Sequence, residues 1–127
     1  MRGLLILGAL LMASAVALGA FGAHGLKTKL SADMLQVYQT GVQYHVYHAL
    51  GILLIGLVAG FYPHAPGVQW AGWLMLLGVL LFSGSLYVLA LSGIRWLGAI
   101  TPFGGLAFIV AWCLLAYTLY QQASQNA

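Results

Sequence analysis

Glutamate is absent from this chain, and aspartate occurs once, as Asp33. Paired carboxylates are therefore excluded, and with them the acid–base arrangements of glycosidases and aspartic proteases. Basic residues are nearly as scarce: Arg2, Lys27, Lys29 and Arg95 bring the charged side chains to five in 127 residues. With 63% hydrophobic residues and a mean hydropathy of +1.00, such a chain cannot cover itself with a water-soluble exterior. Its net charge of +3 forms no basic patch, so no nucleic-acid partner is expected. Cys113 stands alone, which excludes an internal disulfide and any CxxC redox or zinc pattern. Its expected role is that of a small apolar residue packed in a helix. No glycine-rich phosphate loop occurs.

What fills the chain instead is four long apolar runs. They cover about residues 3–23, 42–61, 68–91 and 97–120. Each is close to the ~20 residues that cross a hydrocarbon layer as a helix. Helices are required because lipid cannot satisfy bare backbone N–H and C=O groups. Alternating ten-residue strands are missing, which excludes a β-barrel. The fold class is thus an all-α integral membrane protein, a single domain over residues 1–127. Arg2, the first run and Ala13-Ser14-Ala15 imitate a secretory signal, but the run continues to about Ala23, past the usual length of a signal core. Residues 3–23 are read as a retained span.

Punctuation between the runs fits. Pro63, Pro66 and Gly67 interrupt the chain between spans two and three, Ser92-Gly93 ends span three, and Thr101-Pro102 opens the regular part of span four. Short connections force antiparallel neighbours and an up-down four-helix bundle. Ser31 and Asp33 suit a helix start. After them Met34, Leu35, Tyr38 and Val42 share one face. A short amphipathic helix over about 31–41 is expected between helices 1 and 2, lying on the membrane surface or under the bundle, with Gly41 as a bend. Aromatic belts are expected at both interfaces: Tyr62, Trp70, Trp73, Tyr117 and Tyr120 at one, Tyr38, Tyr44, Tyr87 and Trp96 at the other. Small residues recur at helical spacing, as in Ala9/Ala13/Ala17, Ala15/Gly19/Ala23, Gly56/Gly60 and Gly98/Thr101/Gly105, where backbones can approach.

Side A denotes the face carrying both ends of the chain and the 62–67 loop; side B carries the other two connections. Polar side chains gather toward side B: His24, Tyr44, His45, His48, Ser83, Ser85, Tyr87, Arg95 and Thr101, with Pro102 beside them. They either line a shallow polar cavity open to side B or bond to one another and set helix register. Ser83 and Ser85 point about 200° apart on an ideal helix, so at least one is expected to bond a backbone carbonyl. His45 and His48 share a face at i, i+3, and His24 lies near them; three imidazoles can bind zinc or copper. Asp33 is the one carboxylate available to such a site, and the expectation is no metal and no cofactor. Ser83 or Ser85 with His48 supplies two members of a nucleophilic triad but no acid, so catalysis is not expected.

Four strings carry a resemblance: Gly19-Ala20-Phe21-Gly22-Ala23-His24, the run Thr40–His48, Phe82-Ser83-Gly84-Ser85-Leu86-Tyr87, and Thr101-Pro102-Phe103-Gly104-Gly105. In order and spacing they resemble the YgdD-like family of small membrane proteins (domain of unknown function 423, UPF0382; transmembrane protein 256-like). The resemblance implies four membrane helices and no assigned activity. Its pattern falls on His24, Tyr44, His48, Ser83, Ser85, Tyr87, Thr101 and Pro102, and it places His45 at a variable position.

The functional expectation is a non-enzymatic membrane protein that binds a lipid, another small amphiphile or a partner membrane helix through the polar half-bundle. One alternative is a subunit of an oligomeric transporter or channel. A second is a metal- or haem-binding protein or an intramembrane enzyme. Membrane lipids, further copies of the chain or another membrane protein are the expected partners. Lys27, Lys29 and Arg95 on side B against Arg2 on side A place the 24–41 and 92–96 connections in the cytoplasm, in a bacterial inner membrane.

Overall fold

A computed structural model describes residues 2–126. Four helices are long and apolar enough to cross a membrane: α1 (Arg2–Leu26), α2 (Ala32–Phe61), α3 (Pro66–Ser92) and α4 (Arg95–Asn126). No strand occurs among the described residues. Regular α-geometry relaxes at three places. The end of α1 (Gly22–Leu26) and the middle of α3 (Val79–Ser83) are π-helical, and α4 opens with a 3-10 stretch (Arg95–Ala99) before Thr101. Thirty residues of α2 rise about 45 Å, more than the ~30 Å hydrocarbon layer, so the helix projects beyond that layer or tilts within it.

Helix ends follow local chemistry. The Ser31 side chain accepts from the Met34 N–H at 3.2 Å, and Asp33 sits in the first turn of α2, where the helix dipole favours an anion. Pro66 occupies the first turn of α3, where its missing N–H costs nothing. Gly93, at φ +74°, is the one residue in the left-handed region among those described, and its N–H bonds the Leu89 carbonyl at 2.8 Å. That geometry ends α3 as expected.

The stretch 31–41 is helical, but it is not a separate surface helix. It forms the first turns of α2, which runs without interruption through Gly41. The apolar face that suggested membrane contact is covered by protein. Leu26, Tyr38 and Ala90 form a buried cluster, with Leu18, Leu35, Val42 and Tyr87 packed around it. Gly41 serves close approach rather than bending: a Cβ there would stand 3.0 Å from the Tyr87 ring. For the same reason Tyr38 and Tyr87 do not join a lipid-facing belt. Tyr38 is buried and Tyr87 half-buried, their rings 5.3 Å apart, whereas Trp96 on side B and Trp70, Tyr117 and Tyr120 on side A are exposed.

α2 is the central helix. It packs against α1 on one side and α3 on the other, and α4 packs against α3. Leu4 of α1 reaches under α2 into the main core with Ile52, Ile55, Val68, Ala71, Met75, Ala111 and Leu115. Outward-facing Ile6, Leu10, Leu57, Leu80, Leu106 and Ile109 would form an insoluble apolar coat in water and match a lipid surroundings. Lipid tails are as apolar as these side chains, so helix association relies on close packing. The tightest crossing is at Gly104 of α4, where a Cβ would overlap the Phe82 backbone of α3. The small-residue rows divide: Ala15 and Gly56 are buried at helix contacts, while Ala9, Ala13, Ala17 and Gly60 face outward.

Candidate functional site

The polar side chains expected toward side B are drawn into interhelical hydrogen bonds. One chain ties three helices together. Ser14 on α1 lies 3.2 Å from His45 Nε2 on α2, and His45 Nδ1 lies 2.8 Å from the Tyr87 hydroxyl on α3. The Ser14 hydroxyl donates to the Leu11 carbonyl at 2.8 Å, so toward His45 it accepts. The Nε2 therefore carries the proton, and in a neutral imidazole Nδ1 accepts from Tyr87. Every proton in the chain then has one acceptor.

A second connection joins α2 to α4. The Trp112 indole N–H donates to His48 Nε2 at 3.1 Å, and His48 Nδ1 lies 2.9 Å from the Tyr44 carbonyl. Indole is a donor only, so Nε2 accepts and Nδ1–H donates. The imidazole lies flat on Phe108, ring centroids 3.5 Å apart and planes 7° apart. The Tyr44 ring continues the stack, 4.5 Å from Phe82, which itself packs 5.6 Å from Phe108.

Two serines complete the set. Ser83, fully buried in the π-helical turn of α3, donates to the Gly41 carbonyl of α2 at 2.7 Å. This is the serine-to-carbonyl bond expected of one of the pair, made across helices. Ser85 donates to the Phe82 carbonyl at 2.9 Å and lies 2.6 Å from the Thr101 hydroxyl of α4. Among the described residues no buried side-chain nitrogen or oxygen is left without a partner.

Other sequence candidates stand apart. His24 is exposed in the π-helical end of α1 and joins neither histidine. Arg95 is exposed at the start of α4, and Pro102 is exposed in its first regular turn. Tyr44 contributes its ring and carbonyl, and the residue is 37% exposed. The described histidines, cysteine and aspartate form no group of three that could hold a metal, and all four ring nitrogens of His45 and His48 already face protein partners.

Two participants were not legible beforehand as site residues: Ser14 and Trp112. Ser14 counts toward the other half of the bundle by depth, and His45, expected within the polar group, sits where the resemblance varies. Trp112 lies in an unbroken apolar run about 16 Å along α4 from Thr101. One signal was available. An indole N–H deep in a span needs an acceptor, and Gly104, Phe108 and Trp112 repeat at i, i+4, i+8 on one face.

The hydrogen-bonded groups do not line the groove that opens at this end. That groove, of about 190 Å³, runs between α1 and α2 and is lined by Gly19, Gly22, Ala23, Tyr38, Gln39, Val42 and Gln43. Of the residues with side-chain bonds, Tyr38 and Gln43 reach it: the Tyr38 hydroxyl is held by the Leu18 carbonyl, and the Gln43 amide donates to the Tyr47 hydroxyl at 2.7 Å. A larger open pocket lies at side A, on the loop between α2 and α3.

Comparison with known proteins agrees with this architecture. Residues 18–105 match the family described as protein of unknown function (DUF423). A UPF0382 membrane protein of Bacillus subtilis (strain 168) is 52% identical over 115 residues, covering 91% of this chain and 94% of its own. A UPF0382 membrane protein of Staphylococcus haemolyticus (strain JCSC1435) is 50% identical over 121 residues, covering 95% and 98%. No solved structure matches significantly.

Proposed function

Since this chain belongs to the DUF423 (UPF0382) family of membrane proteins, whose function is unknown, we propose a role from its own geometry: a non-enzymatic protein that binds a lipid or other small amphiphile in the side-B groove between α1 and α2. The groove carries the proposal. Gly19, Gly22 and Ala23 draw back the wall on α1, and Val42 gives an apolar floor on α2. Gln39 and Gln43 are exposed at the rim; Gln39 offers its amide to a polar head, and Gln43, whose amide N–H donates to Tyr47, offers its carbonyl oxygen. The polar half-bundle acts here as a frame. Its bonds hold α1, α2 and α3 at the spacing that leaves the groove open. Absence of catalysis is supported by the same bonds: Ser83 is fully buried, and His48 is committed to Trp112 and Tyr44. The expected setting is a bacterial inner membrane with side B cytoplasmic, given exposed Lys27, Lys29 and Arg95 there.

The test is photo-crosslinking with a lysophospholipid bearing a diazirine on its chain, followed by peptide mapping. Label should concentrate in residues 19–23 and 39–43 and fall in Gly19→Leu, whose side chain fills the groove. Uniform labelling of all outward faces, unchanged in Gly19→Leu, defeats the proposal. A second reading, a subunit of an oligomeric transporter, draws support from α1, which packs mainly on α2 and turns Ala9, Ala13 and Ala17 outward. A mass measurement in detergent separates the two, since that reading requires several copies.

A further inference from the structure

At the opposite end of the bundle, Pro63 and His64 of the α2–α3 loop and Pro66, Gln69, Trp70 and Trp73 of α3 enclose an open pocket of about 560 Å³. That volume falls within the roughly 300–1,000 Å³ of small-molecule sites. Residues 66, 69, 70 and 73 form one helix face. Trp70 is 64% exposed and Trp73 45%, so two indoles stand uncovered by protein on the same side of α3. Counted from Pro66, Trp70 lies about 6 Å and Trp73 about 10 Å along the helix. Both indoles thus lie in the first two turns of this apolar helix, at the end where headgroup-level aromatics are expected.

The lining selects by charge. It contains no carboxylate, so an ammonium would be met there by aromatic faces, which attract cations through the ring quadrupole. It contains no Lys or Arg either, so a headgroup with net negative charge finds no counter-ion. His64 and Gln69 supply hydrogen-bond donors suited to the oxygens of a single phosphate. We propose that this pocket is a headgroup site for a zwitterionic phospholipid: its ammonium rests over Trp70 and Trp73, its phosphate faces His64 and Gln69, and its acyl chains descend along α3. The site is separate from the α1–α2 groove and does not depend on that reading.

Native mass spectrometry of the full chain in maltoside micelles tests it. Phosphatidylethanolamine, phosphatidylcholine and phosphatidylglycerol with identical acyl chains are each titrated in. Both ammonium lipids should be retained about three-fold or more over phosphatidylglycerol, the scale of an exposed cation–π contact. Trp70→Leu/Trp73→Leu should bring the ratio close to one, and Trp70→Phe/Trp73→Phe should keep part of it. Because both indoles are exposed, folding is expected to survive, and the phenylalanine pair controls for altered packing. Equal or stronger retention of phosphatidylglycerol by the unaltered chain overturns the proposal. So does a preference that persists in the leucine pair.

Discussion

Trp112 on α4 donates its indole N–H to His48 Nε2 on α2 at 3.1 Å, and together with the Tyr44 carbonyl beside Nδ1 that bond decides where the imidazole holds its proton. With Nε2 as acceptor, the proton sits on Nδ1 and points to the Tyr44 carbonyl. One turn away His45 takes the opposite form, protonated on Nε2 toward Ser14 and accepting from Tyr87 on Nδ1. Neighbouring histidines on one helix thus occupy different tautomers, and both bonds to the flanking aromatics need a neutral ring.

Nitrogen-15 spectra of the histidine-labelled protein in micelles should therefore show two distinct neutral patterns near neutral pH. His48 should give a protonated Nδ1, His45 a protonated Nε2. Trp112→Phe should move the His48 signals and leave those of His45 in place. A common tautomer for both rings would refute this hydrogen-bond assignment.

Energetically the same contact should be modest. Interhelical hydrogen bonds in membranes average about 0.6 kcal/mol and reach about 1.7, while an acceptor left buried and unpaired costs ~1–3 kcal/mol. His48 is 5% exposed and has little access to a substitute donor. Trp112→Phe should cost about 1–2 kcal/mol in a reversible unfolding assay, part of it from lost ring area. A double-mutant cycle with His48→Leu should return a positive coupling near 1 kcal/mol. Zero coupling would mean that Phe108 stacking alone holds the imidazole.

Architecture was legible in the chain because bilayer thickness sets a length that composition reveals directly. Four runs without carboxylates, broken at Pro63, Pro66 and Gly93, correspond to four helices in order. The junction at Gly41 was not legible. Glycine permits both a bend and a close contact, and only the position of Tyr87 on another helix distinguishes them. The candidate cluster was half legible for a related reason. Which hydroxyls lie at which depth follows from counting residues, so Ser83, Ser85, Tyr87 and Thr101 were found. Which helix faces which follows from packing, so the pairing of Ser14 with His45 and of Trp112 with His48 was not. Similarly, a tyrosine at interface depth can turn to lipid or inward, and Tyr38 turns inward because Leu18 offers its carbonyl.

Topology can be checked with the chain's own cysteine. Cys113 faces outward in the middle of α4, within the apolar layer, and should resist a membrane-impermeant maleimide. Lys29→Cys and Gln125→Cys, both at exposed positions, lie at opposite ends of the bundle. In intact cells only Gln125→Cys should label, in inverted membranes only Lys29→Cys, and in permeabilised membranes both. Labelling of Lys29→Cys from outside would reverse the proposed orientation. Labelling of both from one side would contradict the four-span path itself.

Two glycine substitutions on or against α3 separate packing from propensity. A Cβ at Gly104 would overlap the Phe82 backbone nitrogen and stand 2.8 Å from its Cα, and backbone cannot rotate away as a side chain can. Gly104→Ala must push α4 off α3 and disturb the Ser85–Thr101 contact one turn away, at a cost of about 1–3 kcal/mol. Gly84, next to the π-helical turn, has nothing within 4 Å of the same added atom. There alanine should be neutral or should stabilise by up to about 1 kcal/mol, since it narrows the unfolded ensemble and favours helix. Thermal unfolding of the two variants in one detergent makes the comparison. Equal effects would mean that the α3–α4 crossing is looser than Gly104 implies, and the interhelical bonds of Ser85 and Trp112 would then have to hold α4 in place by themselves.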